Sequence, residues 1–328
     1  MTTRIRRMLG GALVGLFAAA SGPAAAQTTL QIGHSLSPNS HYQVGAETFA
    51  RRVEEKTGGR YRIDIAPGGA LGSEREMVEG VQLGTVDLVL TSLGTVGGFV
   101  PDTLILDLPF LFGSVEHARA VIDGPIGAQL SEAIAARGFQ PLAWAENGIP
   151  GFVTRDREIR SADDLRGLKM RTQANELHTA TFEALGATAV PLGFGEIYTA
   201  MQTGTIDGTY MVVPIVVTSN YWQVQKHMTQ APLFYQAAMF IMSPSVWAGL
   251  SEDDRAAFVA AAEEAGKATR AAVTEAEAAG VETLKGHGMV INTDYDRASF
   301  DAALAPVYER FGARFDPAMI EAIRAAGN

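Results

Sequence analysis

The chain has 328 residues, 47% of them hydrophobic and 19% charged, with no cysteine. That is a globular composition on a scale of about two domains, because single cores stop growing near about 250–300 residues. The lack of cysteine excludes disulfides, a thiol nucleophile and thiolate metal sites.

Arg4, Arg6 and Arg7, the apolar run Leu9 to Ala20 and Ala24-Ala25-Ala26 have the three parts of a secretory signal peptide, assigned to residues 1–26. The run is short of the about 20 apolar residues that a transmembrane anchor needs. The expected mature protein is therefore exported and soluble. It carries 23 basic residues against 36 acids, a net charge of −13. Without a Lys/Arg-rich run, it is a poor partner for nucleic acid or an anionic membrane.

Alternation of apolar and polar residues predicts strands at Leu30 to His34 and Arg60 to Ala66. Between them, Ser37 to Ser40 offers an N-cap to a helix carrying Val44, Phe49 and Val53 on one face and ending at Gly58-Gly59. A helix from about Ser73 to Leu83 and the strand Leu88 to Leu90 follow. Strands separated by helices indicate an α/β class with a mostly parallel sheet. The segment Gln82-Leu83-Gly84-Thr85-Val86-Asp87 then returns as Gln202-Thr203-Gly204-Thr205-Ile206-Asp207, with Glu76 and Glu196 at corresponding upstream places. Each glycine falls where a helix end needs a left-handed residue. The repeat predicts two similar α/β lobes enclosing a cleft, with crossings near Trp144 to Phe152 and Gln236 to Met242. Lobe I is assigned 27–148 plus about 237–276, and lobe II 149–236 plus about 277–328. Ser251 to Asp254 opens a helical tract reaching about Lys285, long enough to brace both lobes, with kinks expected at Gly266 and Gly280.

No nucleophile elbow, zinc-protease helix, phosphate loop or dinucleotide fingerprint is present. His34 and His41 fall on different elements, Asp163-Asp164 caps a helix after Ser161, and Asp294-Tyr295-Asp296 lacks the glycine and distal glutamate of a calcium loop. Neither an enzyme nor a metal or cofactor site is expected. Gly167 to Arg171 reads as a strand with Lys169 and Arg171 on one side. Arg171 stands at its C-terminal end, before a helix from about Glu176 to Leu185. That geometry suits a carboxylate clamp, although a solvated strand-end arginine has the same signature.

In combination, several motifs resemble the extracytoplasmic solute-binding proteins of tripartite ATP-independent periplasmic (TRAP) transporters. They are Gly33-His34-Ser35, Gly69 to Glu74, Gln82 to Asp87, Leu108 to Phe112, Asp164 to Arg171, Val190 to Ala200 and Gln202 to Gly208. The resemblance implies a two-lobe type II periplasmic-binding fold with a long C-terminal bracing helix. It also implies a periplasmic monomer that delivers an organic acid to one small and one large membrane subunit. Arg171 takes the place of the family's carboxylate-binding arginine, and Phe194 that of a residue packing on the ligand, unless it only anchors the core. His34, Ser35, Glu74, Ser92, Trp144, Glu146, Asn147 and Tyr235 are further cleft candidates. Glu74 serves equally as a first-turn helix acid, and Tyr235 as packing. Two departures stand out. Gly148-Ile149-Pro150 replaces Gly-Phe-Arg, and Tyr210-Met211 stands where relatives often have Glu-Asn. These exchanges predict a ligand with one carboxylate and a less polar, aromatic or branched remainder. A ligand-presenting sensor and an exported enzyme on the same scaffold are the alternatives.

Overall fold

The computed structural model describes residues 27–326; the leader segment lies outside the described residues. In chain order the strands are β1 (Thr28–Gly33), β2 (Tyr61–Ala66), β3 (Leu88–Ser92), β4 (Gln140–Gly148) and β5 (Gly151–Thr154). They continue with β6 (Lys169–Thr172), β7 (Thr188–Pro191), β8 (Gly208–Met211), β9 (His227–Thr229), β10 (Gln236–Met242) and β11 (Val290–Asn292). They form two sheets, ordered β2-β1-β3-β10-β4 and β11-β9-β5-β8-β6-β7. The chain passes from the first sheet to the second between Gly148 and Gly151 and returns between Thr229 and Gln236.

The internal repeat is visible in hydrogen bonds as well as in topology. In each sheet three parallel strands (β2-β1-β3 and β7-β6-β8) are followed by an antiparallel one, β10 or β5. Gly84 and Gly204 both end helices in the left-handed region, at φ 81° and 75°. Asp87 accepts from the Gln31 N–H at 2.8 Å, and Asp207 from the Lys169 N–H at 2.7 Å, so each aspartate ties the repeat's last strand to its first. Glu76 and Glu196 accept from the backbone N–H of Ser73 and Gly193, both at 2.8 Å, three residues before them.

Helix α1 (His41–Lys56) begins at Ser40, whose hydroxyl accepts from the Gln43 N–H. Its buried stripe is Tyr42, Gly45, Ala46, Phe49 and Val53, whereas Val44, expected inside, is 41% exposed. Val44 lies five residues before Phe49, which is far off a 3.6-residue repeat. Helix α2 (Glu74–Leu83) follows the Ser73 capping box, and two later helices, α3 (Val115–Ile122) and α4 (Glu176–Ala184), flank the two sheets. Helix α5 (Val213–Thr218) starts two residues after β8.

Helix α6 (Glu252–Gly286) runs 35 residues without interruption, about 52 Å at about 1.5 Å per residue. The expected breaks at its glycines give way to close contacts. A Cβ on Gly266 would lie 2.2 Å from the Trp144 carbonyl oxygen of β4, and one on Gly280 2.6 Å from Val213 of α5. The glycines let the helix press against a strand of the first sheet and a helix that follows the second. No helix of the described residues is long and apolar enough to cross a membrane.

Candidate functional site

Arg171 lies on β6, a short strand inside the second sheet, in register with Val190 of β7 and Thr209 of β8. Alternation buries Met170 completely on the far side and turns Lys169 and Arg171 the other way. Lys169 donates to the Gly204 carbonyl at 2.7 Å, while Arg171, at the strand's C-terminal end, is 7% exposed. Its Nε donates to the Leu192 carbonyl at 3.0 Å, which fixes the plane of the guanidinium. Among the described residues no carboxylate forms an ion pair with it. Burial pushes its pKa down, against the smaller opposing effects of Tyr221, Glu74 and Glu196. Arginine stays charged even so, and a buried cation without a counterion favours an incoming anion.

The cavity beside Arg171 has an inner chamber of about 30 Å3 and an outer hollow of about 220 Å3. Glu74, Arg171, Gln173 and Phe194 border both parts. The first lobe adds Ser35, Tyr42, Ser92 and Asn147 to the inner chamber; the second adds Met211 and Ile215. Glu74 opens α2, and its Oε1 accepts from the Thr91 hydroxyl at 2.8 Å and the Ser92 N–H at 2.7 Å. Asn147 is held from behind: its Nδ2 donates to the Tyr42 hydroxyl at 3.0 Å, and its Oδ1 lies 2.8 Å from His41 Nε2. Burial lowers the His41 pKa to about 4, so the ring is neutral at pH 7. With Asn147 Nδ2 committed to Tyr42, His41 Nε2 carries the hydrogen and donates.

The two halves touch across the cavity. Gln173 Nε2 donates to the Ser92 hydroxyl at 2.8 Å, and Asn175 Nδ2 to the Gly94 carbonyl at 3.0 Å. Deeper, His178 Nε2 meets Asp107 Oδ2 at 3.0 Å in a pair buried on both sides.

Of the residues expected from sequence, Ser35, Glu74, Ser92, Asn147, Arg171, Phe194 and Met211 are brought together around this cavity. Five are placed elsewhere, three of them (Tyr210, Trp144 and Glu146) for reasons of strand alternation. Tyr210 precedes Met211 on β8 and so points to the opposite face, where its hydroxyl donates to the Ala231 carbonyl and accepts from the Leu233 N–H, both at 2.6 Å. Trp144, three residues before Asn147 on β4, borders a separate hollow between α6 and the α3 region. Glu146 shares that face, fully buried, accepting from Arg119 Nε at 2.9 Å and the Tyr235 hydroxyl at 2.6 Å. Tyr235 is therefore packing and network, not cleft surface. His34 is buried against Gln43, 3.0 Å away, and does not border the cavity. Sequence reasoning passed over Gln173, Tyr42, Leu36 and Ile215. Gln173 was within reach, since it lies two residues after Arg171, just past the end of the strand.

This geometry is that of a two-lobed binding protein, and the comparisons agree. Residues 32–314 match the family described as bacterial extracellular solute-binding protein, family 7. A solute-binding protein of Verminephrobacter eiseniae is 45% identical over 303 residues, 92% of this chain and 90% of its own. A TRAP periplasmic solute-binding protein of a Polaromonas species, bound to D-erythronate, superposes with a TM-score of 0.90 at 45% identity, covering 91% of this chain and 99% of that one. One from Bordetella bronchiseptica, its density assigned as pantoate, gives 0.88 at 39% identity, covering 92% and 99%. The chain belongs to family 7 of the bacterial extracellular solute-binding proteins, the solute-binding components of TRAP transporters, which bind organic acids and are not enzymes.

Proposed function

We propose that this chain is the periplasmic solute-binding subunit of a TRAP transporter, exported by the leader at residues 1–26 and handing a small organic acid to the small and large membrane subunits. The observation that carries the reading is Arg171: a buried guanidinium, oriented by Leu192, bordering the cavity between the lobes and lacking a carboxylate partner among the described residues. It takes the ligand carboxylate through two parallel charge-assisted hydrogen bonds. Phe194, Met211 and Ile215 supply the apolar side of the same chamber.

The small chamber favours a compact ligand. With Tyr210 turned into the core, the apolar surface it was expected to give an aromatic remainder is absent from the cavity. The Polaromonas and Bordetella relatives support compactness, since D-erythronate and pantoate are both short-chain monocarboxylates. The lobes (27–148 with about 237–276, and 149–236 with about 277–328) close about the two crossing segments and α6, and ligand contacts with both halves shift the equilibrium toward closure. Calorimetric titration of the wild type and Arg171→Met with D-erythronate tests the proposal. It predicts binding by the first and at least a hundredfold loss in the second; equal binding by both would refute it.

A further inference from the structure

We infer that Arg75 is an electrostatic capture residue: it draws an anionic ligand into the outer hollow and speeds association, without holding the ligand once it is bound. The inference rests on the reading of Arg171 as the carboxylate site. Arg171 borders both parts of the cavity, whereas Arg75 borders the outer hollow alone. A ligand carboxylate that reaches Arg171 through the outer hollow therefore passes Arg75 first. The two arginines come from opposite lobes, Arg75 from the first turn of α2 and Arg171 from β6. Among the described residues Arg75 makes no hydrogen bond and no ion pair, and its side chain is exposed. Its guanidinium lies over the Phe99 ring, with Cζ 4.8 Å from the centroid. That contact orients the group and leaves its charge in place.

A cation in the first turn of a helix opposes the helix dipole, so this placement does nothing for the stability of α2. What it does for binding follows from the charges around it. The expected mature chain has 23 basic residues against 36 acids, and an approaching anion meets a repulsive field. The charged residues bordering the outer hollow are Glu74, Glu196, Arg75 and Arg171. Both carboxylates are anchored, Glu74 by the Ser92 N–H and Glu196 by the Gly193 N–H, so neither is free to swing away. With Arg75 the hollow balances two cations against two anions. Without it, an incoming carboxylate faces two anions and a single cation. Arg75 is exposed, so its pull acts through water and is screened by salt, unlike that of the buried Arg171.

The test is stopped-flow binding of D-erythronate to the mature protein, followed by tryptophan fluorescence, in the wild type, Arg75→Gln, Arg75→Lys, Arg75→Glu and Arg171→Met. Ligand-free melting curves report whether each variant is folded. At about 0.01 M salt, where charges act over about 30 Å, Arg75→Gln should associate at least about threefold more slowly and Arg75→Glu more slowly still. Arg75→Lys keeps the charge and should associate as the wild type does. All three should release the ligand at the wild-type rate. At about 1 M salt, where charges act over about 3 Å, the differences in association should vanish. Equal association by the wild type and Arg75→Gln at low salt overturns the inference. So does a slowing that Arg75→Lys fails to rescue, or an effect confined to release, which would make Arg75 a contact of the bound ligand. Arg171→Met separates this from failure of the underlying reading. If it binds D-erythronate as the wild type does, the carboxylate site is wrong. If it loses binding while the Arg75 variants associate as the wild type does, only the role of Arg75 is wrong. A wild type that binds neither D-erythronate nor pantoate overturns both.

Discussion

Replacing Arg171 by methionine removes the charge and the fork while keeping most of the side chain's volume, and its two consequences diverge. In the complex the ligand carboxylate loses two charge-assisted hydrogen bonds, each worth about 1.5–3 kcal/mol. A total near 3 kcal/mol corresponds to a loss of affinity on the order of a hundredfold. In the free protein the substitution breaks one neutral-acceptor bond, Nε to the Leu192 carbonyl at 3.0 Å, at a cost of about 1 kcal/mol. It also removes a buried cation that no carboxylate balances, which offsets that cost. The free protein should therefore stay within about 1.5 kcal/mol of the wild type, whereas breaking a buried ion pair costs about 3–5 kcal/mol. Calorimetry with D-erythronate reads the first effect, and urea unfolding without ligand reads the second. A dissociation constant within threefold of the wild type would remove Arg171 from the site. A loss of more than about 3 kcal/mol in the free protein would make it a structural residue.

The fold gives two further expectations. Gly266→Ala places a methyl carbon 2.2 Å from the Trp144 carbonyl and should cost about 1–3 kcal/mol by forcing α6 off β4. Gly286→Ala meets nothing within 4 Å in the last turn of the same helix and should raise stability by up to about 1 kcal/mol; melting curves that move together would contradict the close-packing account. The second concerns pH. Burial holds the His41 pKa at about 4 in the fold, against 6.5 for an ordinary histidine. Its contribution is fully present above pH 6.5 and is lost as the pH falls toward 4, because there the unfolded chain binds a proton that the folded chain refuses. The loss amounts to about 3 kcal/mol, and His34, also lowered by burial, acts in the same direction. Urea midpoints between pH 7.5 and pH 4.5 should fall more steeply for the wild type than for His41→Gln; parallel curves would rule out a neutral buried His41.

What the sequence disclosed, and what it hid, follows from how far each signal reaches along the chain. Strand alternation, the caps at Ser40, Ser73 and Ser251, and the paired Gly84-Asp87 and Gly204-Asp207 segments are local, and the structure carries each of them. Gly266 and Gly280 were open to misreading because a glycine in a helix looks the same whether it permits a bend or a neighbour's backbone, and the neighbours, Trp144 and Val213, are far away in sequence. Arg171 stood out by its strand-end position and by family resemblance. Tyr210 and Trp144 were misplaced although period-two alternation already puts them opposite Met211 and Asn147. Ile215 and Leu36 carry no mark of their own, since an apolar residue facing a cavity and one facing a core read alike. That seven of the expected residues converge on one cavity comes from the two sheets meeting, which no single segment encodes.

The most direct test of the central claim is a crystal structure of the mature protein grown with D-erythronate. The account predicts the ligand between the lobes, its carboxylate oxygens about 2.7–2.9 Å from the Arg171 guanidinium nitrogens. A ligand whose carboxylate is bound elsewhere, with Arg171 turned away or paired to a protein carboxylate, would contradict it.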